Sequence, residues 1–220
     1  MKQTIPTPLF LLFLLLISAS LVSSCGNNGD SIGPSDDDDP MIVTYGDCEY
    51  PLKDALAAGS YTIETGELEA LGDPAYGIFG FEFTATKDGR ITEVGVMIPD
   101  QQTVVLGGIV AGSNPPYEKL ADFSITPSPG TWTYVPIDPP LEVVDGQDFL
   151  IWQSLRTTQD DSAIFYNIQD FGYPLTVGNI VLQRYAYNID TDPDKIPEPK
   201  DPQIFPLMNG FVDFCFQPAQ

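Results

Sequence analysis

Along most of the chain apolar and polar residues alternate one by one, the period of a half-buried strand rather than that of a helix. Phe79, Phe81 and Phe83 fall on one face of such a segment, and Gly80, Glu82 and Thr84 on the other. Lys87-Asp88-Gly89 follows and predicts a hairpin connection with glycine at a positive φ. In residues 90–98 the alternation places Thr92, Val94, Val96 and Ile98 together, and Pro99-Asp100 stops the segment. Further strands are predicted at 60–64, 103–111, 119–125, 131–137, 147–155, 163–168, 179–187 and 210–217. Between them stand turn chemistries: Gly112-Ser113-Asn114-Pro115-Pro116, Pro127-Ser128-Pro129-Gly130, Pro139-Pro140 and Asp145-Gly146. One short helix is predicted, at 51–58 before Gly59. No internal repeat recurs at a fixed period. The pattern predicts an all-β fold, an antiparallel β-sandwich (immunoglobulin-like or jelly-roll-like) of about nine or ten strands.

The N-terminal end follows another pattern. Lys2 is the one charge in residues 1–24, and Leu9-Phe10-Leu11-Leu12-Phe13-Leu14-Leu15-Leu16-Ile17 is an apolar run too short to span a bilayer, which takes about 18 or more residues. It fits a signal-peptide core. Val22-Ser23-Ser24-Cys25 resembles the lipobox of bacterial lipoproteins. That resemblance implies an acylated Cys25 as the mature first residue, with the membrane as partner through its lipid anchor. An ordinary secretory signal followed by a chance cysteine is the plainer reading. Residues 25–40, rich in Gly, Asn, Ser and Asp, read as a flexible acidic tether. Its Ser35-Asp36-Asp37-Asp38-Asp39 run resembles the acidic export signals of Bacteroidetes-type surface lipoproteins, which implies the bacterial outer membrane; a solvated spacer accounts for the same residues. Whether the protein faces the periplasm or the exterior stays open. Residues 41–220 are left for a single domain.

Charge narrows the function classes. The 220 residues carry 31 acidic and 9 basic side chains, no histidine and a net charge of −22. Nucleophilic triads built on histidine and His-ligated zinc are excluded. Nucleic acid is not an expected partner, since a polyanion is repelled by so acidic a surface. The tether holds only Asp30 and Asp36 to Asp39 of these acids, so the excess belongs to the domain.

Two stretches, Gly80-Phe81-Glu82-Phe83-Thr84-Ala85-Thr86-Lys87-Asp88-Gly89-Arg90-Ile91-Thr92-Glu93-Val94-Gly95 and Gly130-Thr131-Trp132-Thr133-Tyr134, resemble a set of bacterial β-sandwich domains of unassigned function. Those domains occur in secreted and lipid-anchored proteins, often appended to carbohydrate-active enzymes. The resemblance covers residues 79–155. It implies a sandwich in an extracytoplasmic setting and transfers no catalytic residues.

With Cys25 lipidated, Cys48 and Cys215 remain near the two ends of the domain. Either they form a disulfide, which the compartment permits, or they are separate buried thiols. A bridge would pin the N-terminal segment on the outer side of the last strand, because Val212, Phe214 and Phe216 define its apolar face. Acidic pairs such as Asp160-Asp161 and Glu67 with Glu69 are expected by chance in so acidic a chain and read as solvated charges. No cofactor is expected beyond calcium, for which Asp190, Asp192 and Asp194 supply alternate acidic oxygens. Lys195 stands where an EF-hand loop requires glycine, and an acidic excursion between strands is the competing account. Trp132, Tyr134 and Trp152 suit either a sugar-stacking platform or the core, and their strand positions favour the core. Tyr76, Tyr117 and Tyr173 lie in Gly/Pro-rich stretches and are the candidate ligand contacts. The chain thus reads as a non-catalytic envelope or surface lipoprotein, a binding or structural module for glycan or another envelope protein. A glycoside hydrolase using two carboxylates, or an accessory domain of one, is the alternative.

Overall fold

Antiparallel ladders account for nearly every alternating segment. The computed structural model describes residues 43–69, 75–102, 104–158 and 161–220; the expected signal peptide, Cys25, the tether and Asp160 lie outside them. A seven-stranded sheet contains β2 (Ala75–Ala85), β4 (Val105–Ala111), β5 (Glu118–Ile125), β7 (Asp148–Thr157), β10 (Ile180–Asp190) and β11 (Glu198–Pro199). Its order is β11-β10-β2-β7-β4-β5, and β9 (Leu175–Val177) also pairs with β10. A second sheet has the order β13-β3-β6, made of β3 (Gly89–Met97), β6 (Thr133–Val143) and β13 (Phe211–Pro218). A third, β1-β8-β12, comprises β1 (Glu64–Leu68), β8 (Ala163–Ile168) and β12 (Met208–Asn209). β9, β11 and β12 span two or three residues each, too few for alternation to register. The other ten strands match the expected number.

The sheets pack as a sandwich through a single large core. Phe79, Phe81 and Phe83 from β2, Phe149 and Ile151 from β7, and Phe214 and Phe216 from β13 are all buried in it. Phe83 lies 5.2 Å from Phe149 and 4.4 Å from Phe214, ring centre to ring centre, so the two layers interlock through aromatic rings. Each such ring, fully buried, contributes about 2–3 kcal/mol of apolar transfer free energy.

Several expectations are corrected. Residues 87–89 do not close a hairpin: β2 pairs with β10 and β7, whereas β3 pairs with β13 and β6, so the connection passes from one sheet to the other. Gly89 is not among the positive-φ glycines. Its need for glycine is close approach, since a Cβ there would meet the Phe216 ring and the Gln217 carbonyl at 2.5 Å. Val94, Val96 and Ile98 are buried together as expected, but Thr92 turns the other way and donates to Cys215 Sγ at 3.0 Å. A register shift between Ile91 and Glu93 places Ile91 in the core instead. Pro139-Pro140 lies within β6 rather than in a turn. β6 has only β3 beside it, so prolines on this edge strand forfeit no ladder bond on the open side. β1 begins at Glu64, where the expected strand ended.

The helix α1 (Pro51–Ala58) forms where expected and buries Leu52 and Ala55. Its first-turn N–H groups have no partner within the helix, and the carboxylate of Asp213 on β13 supplies one. Leu52 N donates to Oδ1 at 3.0 Å and Lys53 N to Oδ2 at 3.1 Å, while the Tyr134 hydroxyl donates to Oδ2 at 3.1 Å. Asp213 has no exposure, and burial pushes its carboxyl up to about 7 despite these donors. Cys48 and Cys215 are bridged, and the chain before the helix is further held by bridges pairing Tyr45 with Ala219 and Glu49 with Phe216. The N-terminal segment is thereby paired along the free edge of β13, rather than laid on its outer side as expected.

Candidate functional site

Because Phe79, Phe81 and Phe83 point inward, the residues between them face outward from the large sheet. That outer face is not simply polar. Ile78, Val110, Leu150, Trp152 and Ala186 form a second buried cluster there, with Trp152 only 1% exposed. Its indole lies close over β4, where a Cβ on Gly108 would meet the ring at 2.7 Å.

Two connections cover this cluster. Residues 191–197 leave the end of β10, fold over the outer face and return as β11 on the free edge of β10, with Glu198 opposite Tyr187. Residues 112–117 join β4 to β5. Ile196 from the first and Tyr117 from the second pack on the cluster, as does Tyr76. Ser154 Oγ on β7 donates to the Pro193 carbonyl at 2.5 Å, fixing the strap to the middle of the sheet. The strap's shape is local chemistry. Asp190 Oδ1 accepts from the N–H groups of Thr191 and Asp192 at 2.7 and 3.2 Å, and Asp192 Oδ1 accepts from Asp194 N at 3.0 Å.

Between the two connections lies a groove of about 660 Å³, lined among others by Asn114, Tyr117, Asp192, Asp194, Lys195 and Glu198. Burial raises the Tyr117 hydroxyl above its ordinary value, and Glu82 and Glu198 add to the shift against the opposing effect of Arg184. Glu82 and Arg184 form an ion pair at 2.9 Å on neighbouring strands. Burial nevertheless outweighs the bond and raises the Glu82 carboxyl. Lys119 on β5 is raised first by its hydrogen bond to Asp122, with Asp194 and Asp192 of the strap adding to it. The groove therefore offers one aromatic face, one amide, several carboxylate acceptors and one ammonium donor.

The structure thus joins Tyr117 with Asp192 and Asp194, residues singled out separately in the sequence. The rest do not line the groove, although Tyr76 packs on the same cluster as Tyr117. Tyr76 lies within β2 rather than in a loop, opposite Asp190 on β10. Tyr173 packs into the main core against Phe171 at 4.8 Å, its hydroxyl directed to Met208 Sδ at 3.6 Å, because its loop folds back on the sandwich. Asp190, Asp192 and Asp194 do not converge as a metal site. Two of these carboxylates turn toward backbone N–H groups of their own loop, and among the described residues no group of three or more His, Cys, Asp or Glu is placed to hold a metal ion. Trp132 stacks on Tyr134 at 5.8 Å and on Phe211 at 6.4 Å, away from the groove. Sequence reasoning missed Ile196, Ser154 and the Glu82–Arg184 pair. One signal pointed to them: Phe149-Leu150-Ile151-Trp152 is apolar on both faces, and such a strand is covered on both.

Among the described residues no helix is long and apolar enough to cross a membrane. No protein-family model matches the chain, and no curated protein matches it.

Proposed function

We propose that this chain is a non-catalytic binding module, held at a bacterial outer membrane through acylated Cys25, whose groove beside Tyr117 takes glycan. The observation that carries the reading is the groove itself. Two loops from different strand pairs enclose a half-buried tyrosine ring together with carboxylate and amide groups. Sugar rings present a C–H face to an aromatic ring and hydroxyl donors to carboxylates, so this set of groups matches their chemistry. The lipobox-like Val22-Ser23-Ser24-Cys25 and the acidic tether support the setting. A glycan array with the purified protein tests the reading, together with Tyr117→Ala. Binding by the parent and a loss of about tenfold or more in the variant is expected, the scale of a buried aromatic contact. An array blank for the parent overturns the glycan reading. Cys25→Ser should release the protein into the soluble fraction, and membrane retention of that variant overturns the anchor.

A further inference from the structure

Trp152 is a large aromatic side chain sealed on the wrong side of its sheet, and its Nε1–H has no hydrogen-bond partner. A buried donor left unpaired costs about 1–3 kcal/mol, a penalty that water or a ligand oxygen removes. The cluster it belongs to is covered by Tyr117, Tyr76 and the strap, which bears Ile196 and holds to the sheet beneath through the Ser154–Pro193 bond. A covering segment of this kind opens at lower free energy than the core does.

We propose that residues 191–197 are a lid, and that its opening uncovers a platform of Trp152 and Tyr117 on which an uncharged sugar ring stacks. The inference rests on the glycan reading above and names the sugar class. In the bound state the ring takes the place of Ile196, and a sugar oxygen accepts from Trp152 Nε1. Asp192, Asp194 and Glu198 outnumber Lys195 in the groove, so a polyanionic saccharide is repelled while the hydroxyls of a neutral one find acceptors.

The chain has two tryptophans, so Trp132→Phe leaves Trp152 as the single indole reporter. In that background Ile196→Gly removes the plug and Ser154→Ala removes the latch. Acrylamide quenching of Trp152 should be weak in the parent and rise about threefold in Ile196→Gly, with a smaller rise in Ser154→Ala. Cellohexaose and chitohexaose are the probes and polygalacturonate the anionic control. Binding of either hexaose should shift Trp152 emission and tighten about tenfold in Ile196→Gly, since the plug no longer has to be displaced. If both variants keep parental circular dichroism and neither raises quenching, the segment is not a lid. Calorimetric binding of a hexaose without any Trp152 response overturns the platform and leaves the groove reading intact. Equal binding of polygalacturonate overturns the assigned sugar class. No binding of either hexaose to parent or variants overturns both readings.

Discussion

Asp213 is a carboxyl group shut away from solvent and surrounded by donors, yet its burial outweighs them and it titrates near 7 instead of 3.8. A folded-state value raised above the unfolded one means that the stabilisation is complete below about 4 and is lost as pH rises through about 7. Urea unfolding from pH 4 to 7 should therefore show stability falling by on the order of a few kcal/mol through this residue. Asp213→Asn keeps an acceptor for one of the two helix N–H groups, gives up the other, and removes the titration, so the parent's slope with pH minus the variant's isolates the effect. Identical slopes would show that Asp213 does not titrate there. Nothing in the sequence announced this group. It lies on the alternate face of a strand whose apolar face was legible, and only the docking of α1 above it makes that face dry. Tyr117 was legible because it stands between a Pro-Pro pair and a strand. Tyr173 stands in a similar Gly/Pro context, and the loop's return onto Phe171 decides its burial.

Among the elements, the strands were readable from local alternation, and the helix from a short run bounded by Pro51 and Gly59. Which strands pair was not. Lys87-Asp88-Gly89 has hairpin composition, but β2 takes β10 and β7, both distant in sequence, as its neighbours in the large sheet, while β3 joins the other layer. Pro139-Pro140 reads as a break only if the strand is assumed to be central. The disulfide ties together elements 167 residues apart and holds the N-terminal segment against β13. Closing so long a loop is worth on the order of 5 kcal/mol in the chain-entropy model. Reduction should lower the thermal midpoint by about 10 °C or more for a domain of this size. Calorimetry with and without reductant checks it, and an unchanged midpoint would show that the bridge adds no net stability.

For the whole molecule, acidity is the dominant global property, and it is set against few basic partners: three ion pairs are present among the described residues, two of them on the surface. Self-repulsion at a net charge of −22 opposes the compact state and is screened over about 8 Å at physiological ionic strength. Raising sodium chloride from 20 to about 500 mM should therefore raise the thermal midpoint, where a protein held by surface ion pairs would lose stability. A falling midpoint would refute the repulsion account. Fold class and overall charge were legible in the sequence because both are sums over many residues. The groove was not, since it depends on where two loops meet.

Finally, the bridge between Cys48 and Cys215 has a mechanical consequence. Tension arriving from the chain before Val43 meets a covalent fork within a few residues. There the load divides between α1 on one route and β13, laddered to β3, on the other. Pulling on the two ends of the domain cannot lengthen the 167-residue span enclosed by the fork. Load carried from one end of the domain to the other therefore bypasses the strands and loops that line the groove, all of which lie inside the span.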